Sequence, residues 1–165
     1  TLTVTPEGNT NHNQWYGYGN YYNWYSATAG NGTYSTGSVV TGDICPTGWH
    51  LPNGGTSTGT NGGAVSGGFS YLDTQLGGTG DFQRDNEGEE IVSNRWRSFP
   101  NNFLYSGGWS SSSAGDRGSL GDYWSRTARG TNSAYRLSFS SGYVYPGTRL
   151  YGGKNSGSSV RCLAQ

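Results

Sequence analysis

Ile44-Cys45-Pro46-Thr47-Gly48-Trp49-His50-Leu51-Pro52 gathers one of two cysteines, two of five prolines and one of two histidines within nine residues. Cys45 has a single possible partner, Cys162, 117 positions further on. No CxxC spacing occurs, which excludes a cysteine-rich zinc site. The surface-type composition, the lack of Met and the even cysteine count favour an exported protein with one disulfide. Two buried free thiols in a reducing compartment are the competing reading. A closure of this length contributes about 4–5 kcal/mol in the chain-entropy model and ties the last strand to the first third of the chain. His50, so close to Cys45, reads as a packed structural residue rather than a metal ligand or catalytic base.

Outward from this segment, 165 residues suit one domain spanning 1–165. Leu, Ile, Val and Phe number 23, about 14 % of the chain. That is below the roughly 20 % that marks disorder when net charge is high. Here the net charge is zero and aromatics reach 15 %. Each aromatic side chain buries on the order of 150–250 Å², so aromatic residues can build the core that aliphatics do not. Thirty glycines, with many Ser, Thr and Asn, predict a loop-rich body with few long helices. The longest aliphatic runs are pairs such as Val39-Val40 and Ile91-Val92, too short for a membrane-spanning helix. Membrane attachment would need an anchor outside this chain. No signal peptide opens it, and Thr1 reads as a processed or cloned start.

Charge is distributed unevenly. Residues 1–116 carry nine acids against Arg84, Arg95 and Arg97, whereas residues 117–165 carry Asp122 alone against seven bases. A basic third of this kind reads as a surface face balanced by the rest of the fold, and no nucleic-acid partner is expected.

Along the chain, Tyr21–Tyr25 shows period-2 aromatics and predicts strand or extended chain with aromatics on both faces. Residues 53–68 read as a Gly/Thr/Ser/Asn loop. Phe69, Leu72 and Leu76 share one helical face, Ser70 with Asp73 resembles a capping box, and Gly77-Gly78 supplies a stop. Ile91–Phe99 predicts a second short helix ended by Pro100. Strands are expected at Phe103–Tyr105, Asp122–Ser125, Ala134–Phe139, Tyr143–Tyr145 and Ser159–Leu163. In Ala134–Phe139 the register sends Tyr135, Leu137 and Phe139 inward and Arg136 and Ser138, with Ser140 beyond, to solvent.

Catalytic and metal motifs are weak. Gly55-Thr56-Ser57-Thr58-Gly59 fits G-x-S-x-G formally, but the elbow needs a strand before and a helix after it, and both flanks here are loop. Asp81, Asp85, Asn86, Glu87, Glu89 and Glu90 offer hard oxygens without EF-hand spacing, so a solvated loop is preferred and calcium stays a minor option. Residues 147–154 miss phosphate-loop spacing by one position. Asn31-Gly32-Thr33 is a glycosylation sequon, which carries no meaning if the source is bacterial. Binding chemistry is better represented. Between Arg126 and Ser158 the polar positions carry Tyr, Ser, Asn, Gly and Arg, the palette of rigid contact area, adaptable hydrogen bonding and forked donors.

Three segments add a resemblance. Asn20-Tyr21-Tyr22-Asn23-Trp24-Tyr25, Ile44–Pro52 and Ser158-Ser159-Val160-Arg161-Cys162 occur in that order. Together they resemble the Fibrobacter succinogenes major paralogous domain family of bacterial surface proteins, from about residue 15 to the end. That family is related to the C-type-lectin-like and formylglycine-generating-enzyme-like fold. Residues 123–162 look like the variable region of proteins targeted by diversity-generating retroelements, in which template adenines are mutated. Asn codons altered at their two adenines reach many residues but not Trp, Lys, Glu, Gln or Met. Arg126, Arg129, Thr131, Asn132, Arg136, Ser138, Ser140, Tyr143, Tyr145, Arg149, Leu150, Tyr151 and Ser156 all fall in the reachable set, and Lys154 does not.

The resemblance implies an α+β, C-type-lectin-like domain with short helices around mixed, mostly antiparallel strands. Cys45–Cys162 would staple it, and Trp15, Trp24, Trp49, Trp96, Trp109 and Trp124 would contribute to the core. Those thirteen positions would form a ligand-binding face for a protein or glycan on another cell or phage, displayed at a bacterial surface. Substitution at Arg136 or Tyr145 is expected to spare the fold. No calcium-type lectin motif with Glu or Gln before Pro occurs, so calcium-dependent sugar binding does not carry over. The catalytic cysteine pair of formylglycine-generating enzymes is unmatched, and no catalytic residue or resident cofactor is expected. The alternatives are a structural module of a surface array or pilus and a divergent formylglycine-enzyme-like enzyme.

Overall fold

In the computed structural model, which describes residues 19–30, 35–55, 64, 66–84, 92–110 and 112–164, the longest strands fall on the alternating stretches of the last third. β5 (Leu120–Ala128), β6 (Ser133–Ser140) and β7 (Tyr143–Gly153) form an antiparallel meander. The short β2 (Gln83–Arg84) pairs with β7 at the edge, giving the order β2-β7-β6-β5. Two-stranded pairs are added by β3 (Gly108–Ser110) with β4 (Ser113–Gly115) and by β1 (Trp49–His50) with β8 (Leu163–Ala164). Three short helices lie among the described residues: α1 (Trp24–Ala27), α2 (Phe69–Gln75) and α3 (Asn94–Arg97). The arrangement is α+β and loop-rich, with mainly antiparallel strands in small sheets.

Strand register sorts the side chains. Gly121, Phe139 and Val144 lie abreast, as do Tyr123, Leu137 and Pro146. Because successive residues point to opposite faces, these rows share one face. It packs on α2 and α3 through a cluster of Phe69, Trp96, Phe103, Tyr123, Leu137, Phe139 and Val144. Four of these seven are Phe or Tyr and one is Trp, which is how a chain poor in aliphatics still closes a core. A second cluster joins α1 to the far end of the meander through Trp24, Ala27, Val40, Leu51, Trp124, Ala128 and Ala134. Its two tryptophans are satisfied by backbone carbonyls, Trp24 Nε1 donating to Ser125 O at 2.8 Å and Trp124 Nε1 to Tyr22 O at 2.7 Å.

Cys45 and Cys162 are joined, their Cα atoms 5.8 Å apart, beside the β1–β8 pair. His50 is buried with Nδ1 2.7 Å from Leu51 O, a packed role. No described helix is long and apolar enough to cross a membrane. The disulfide points to an oxidising, extracytoplasmic environment.

Several expectations need correction. Tyr21–Tyr25 is not a strand: Tyr22 makes one bridge to Ser158, and then Asn23 caps α1, its Oδ1 accepting from Ser26 N at 2.8 Å. Ser70 and Asp73 form no capping box, since Gly68 is the cap residue. Ser70 Oγ instead donates to Gly80 O. Asp73 is buried and accepts from Gly80 N at 2.9 Å, Gln83 Nε2 at 2.7 Å and Trp96 Nε1 at 3.1 Å. Phe103–Tyr105 joins no ladder because a side chain takes the partner strand's place. The Tyr123 hydroxyl accepts from Leu104 N at 2.9 Å and donates to Leu104 O at 3.0 Å. Ser159–Leu163 shortens to a bridge at Ser159 followed by β8. Trp49 and Trp109 are 50 % and 43 % exposed and do not belong to the core. Ser138 does not face solvent; it is fully buried. Trp15, His12, the 31–33 sequon, residues 56–59 of the serine motif and the acids from Asp85 to Glu90 lie outside the described residues.

Candidate ligand-binding face

The thirteen positions do not form one patch. Arg136, Ser138, Ser140, Tyr143 and Tyr145 share the sheet face opposite the aromatic core, where Asp122, Ser138 and Tyr145 lie abreast, as do Leu120, Ser140 and Tyr143. Tyr145 stacks on Phe82 with centroids 4.4 Å apart and meets Tyr143 edge-on at 5.3 Å. Burial pushes the Tyr143 hydroxyl up from its ordinary pKa.

A second group collects at the β5–β6 turn. Thr131 and Asn132 are exposed there, and the Arg129 guanidinium lies 3.6 Å from the centroid of the exposed Tyr151 ring. Arg149 and Leu150 belong to neither group. Between the pairs Tyr135↔Tyr151 and Leu137↔Pro146, β7 makes an excursion over residues 147–150, entered by Gly147 at φ 77°. On it Arg149 forks onto Asp81, with Nε–Oδ1 2.9 Å and Nη2–Oδ2 2.6 Å. These bonds, foremost among the causes, hold the Asp81 carboxyl down at about 2. Asp81 is thus engaged by Arg149 and Thr148, and among the described residues no group of three His, Cys, Asp or Glu could hold a metal. Arg126 turns away to Asn53, Nε–Oδ1 2.6 Å, and is half-buried.

Where Arg136 meets its neighbours the face deepens into a cleft of about 350 Å³, walled by the β3–β4 hairpin and by the turn after β7. Arg136 Nη1 lies 2.9 Å from Asp122 Oδ2 on its floor, the two side chains 21 % and 4 % exposed. Burial raises the Asp122 pKa, while the facing Arg136 charge opposes the rise. Arg136 and Ser156 are therefore brought together, joined by Trp109, Ser113, Asp116 and Asp122. Sequence reasoning missed these last four. One signal for Asp122 was available: it is the lone acid among seven bases in the last 49 residues.

Gly152 keeps this geometry possible. A Cβ there would sit 2.9 Å from the Trp124 ring and 3.3 Å from Arg136 Nη1. Lys154, by contrast, is only 1 % exposed, with Nζ 4.4 Å from the Trp24 ring centroid. Compared with known proteins, the chain matches no family, no curated protein and no solved structure.

Proposed function

We propose that this chain is a C-type-lectin-like recognition domain of a bacterial surface protein, resembling the Fibrobacter succinogenes major paralogous domain family, with residues 123–162 diversified by a retroelement. Its ligand is a protein or glycan on another cell or phage. The observation that carries this reading is a division of labour within one segment. Trp124, Leu137, Phe139 and Val144 are buried, whereas Arg129, Thr131, Asn132, Arg149 and Tyr151 project from the same strands and turn. Lys154, which adenine substitution of an Asn codon cannot produce, is packed against Trp24 and so occupies a position that variation must spare. The disulfide supports an exported location. Both cysteines are consumed in it, which disfavours thiol chemistry of the formylglycine-enzyme kind.

The test is the nucleotide sequence around the gene. A neighbouring reverse transcriptase, with a repeat differing from codons 123–162 at adenines, is the expected finding. Their absence removes diversification and leaves the face to be tested by ligand screening. Variants at Arg129 and Tyr151 should then change ligand capture while leaving the melting temperature unchanged.

A further inference from the structure

We propose that the cleft beside Trp109 is a binding subsite for a neutral saccharide, formed largely by residues outside the segment proposed to vary. This rests on the reading of the chain as a recognition domain, but not on diversification. Trp109, the middle residue of β3, is 43 % exposed, in a chain that buries Trp24, Trp96 and Trp124 completely and otherwise leaves Trp49 exposed among the described residues. It borders two hollows at once: the 350 Å³ cleft over Asp122 and Arg136, and a more open one of about 600 Å³ lined by Asn20, Tyr21, Asn23 and Asn155. Both volumes lie in the roughly 300–1,000 Å³ range of small-molecule sites.

The chemistry of the walls selects the ligand class. The negative face of an indole attracts the polarised C–H face of a pyranose, and Trp109, exposed and lining both hollows, is the side chain that can supply it. Arg136, held by Asp122, presents fixed donors to hydroxyl oxygens, while Ser113, Ser156 and the asparagines of the outer hollow can both donate and accept. Leu120 is the one aliphatic side chain lining the cleft among the described residues, so beyond the Trp109 ring a peptide's apolar side chain finds little to bury against. Asp116 and Asp122 outnumber Arg136 in the lining, which disfavours sialylated or sulfated sugars.

Glycine makes the hollow. Gly108, Gly115, Gly152, Gly153 and Gly157 leave the walls without side chains. A Cβ on Gly157 would lie 2.7 Å from Trp109 Cβ, so the platform's position depends on that glycine.

Saturation-transfer difference NMR with methyl glycosides of glucose, galactose, mannose and N-acetylglucosamine, and with their disaccharides, tests the site on the intact chain. The expected result is transfer to ring C–H protons of at least one neutral sugar, quenched tenfold or more by Trp109→Ala. Trp109 is exposed, so this variant should fold. The double variant Arg136→Gln with Asp122→Asn, which removes both charges without stranding either, should weaken binding similarly, and Tyr71→Ala, at an exposed position on α2, should leave it intact. No transfer from any neutral sugar overturns the proposal, as does binding that survives Trp109→Ala. Loss of binding on Tyr151→Ala but not on Trp109→Ala overturns the cleft assignment while sustaining the broader recognition role.

Discussion

Arg136 and Arg149 belong to neighbouring strands and both hold a carboxylate, yet the consequences of removing them differ. Asp122, the partner of Arg136, is 3 % exposed, and Arg136→Ala leaves that charge buried without its counter-ion. Breaking a buried pair from one side costs 3–5 kcal/mol, and about 3 kcal/mol is expected here because Arg136 keeps contact with water. This prediction runs against the expectation that substitution at Arg136 spares the fold, and the measurement below decides between them. The loss should depend on pH. Burial sets the folded pKa of Asp122 above its unfolded value, so its protonated form is favoured by folding. The deficit of Arg136→Ala, read by urea denaturation, should therefore be largest where Asp122 is ionised and shrink as pH falls towards its unfolded value of 3.8. Arg149 faces a carboxylate that is itself partly solvated, and its own side chain is 62 % exposed. Arg149→Ala should leave the melting temperature nearly unchanged but raise the Asp81 pKa from about 2 towards 3.8, followed by NMR titration of the carboxyl carbon. Since the folded pKa is the depressed one, whatever stability this pair adds is present above pH 3.8 and lost as pH falls towards 2.

Among the elements, β5 shows how closely backbone and ring can be fitted. Gly121 lies opposite Phe139, and a Cβ there would enter the Phe139 ring and stand 2.7 Å from Leu104 O. Gly121→Ala should cost about 1–3 kcal/mol by overpacking, measurable as a drop in denaturation midpoint at constant slope. The same strand shows what a sequence does and does not disclose. Alternation in Ala134–Phe139 correctly assigned Leu137 and Phe139 to the core, because a strand's period depends on the backbone alone. It could not disclose that Ser138 is buried on the opposite face, since that depends on what packs over it. Likewise Phe69, Leu72 and Leu76 announced α2, but the role of Asp73 was hidden. Its three donors come from Gly80, Gln83 and Trp96, and a local capping pattern looks the same whether or not distant donors claim the carboxylate. The cleft was least legible, for Trp109 and Arg136 come from segments with no sequence pattern linking them.

At the scale of the whole molecule, the disulfide and the β1–β8 pair close the chain on itself. Reduction by dithiothreitol should lower stability by about 4–5 kcal/mol in the chain-entropy account, read as a shift of the urea midpoint between oxidised and reduced protein. A different consequence follows when the domain is pulled rather than heated. Tension applied to the chain on either side of Cys45 and Cys162 crosses directly between the two sulfurs, so everything from Pro46 to Arg161 lies outside the force path. The sequence separation of 117 between the cysteines corresponds to about 400 Å of contour length that stays hidden while the bond is intact. In a single-molecule stretching experiment that length should be released only after reduction. If the domain grips another cell as proposed, the thirteen positions sit in a mechanically shielded loop, and the load reaches them through the ligand alone.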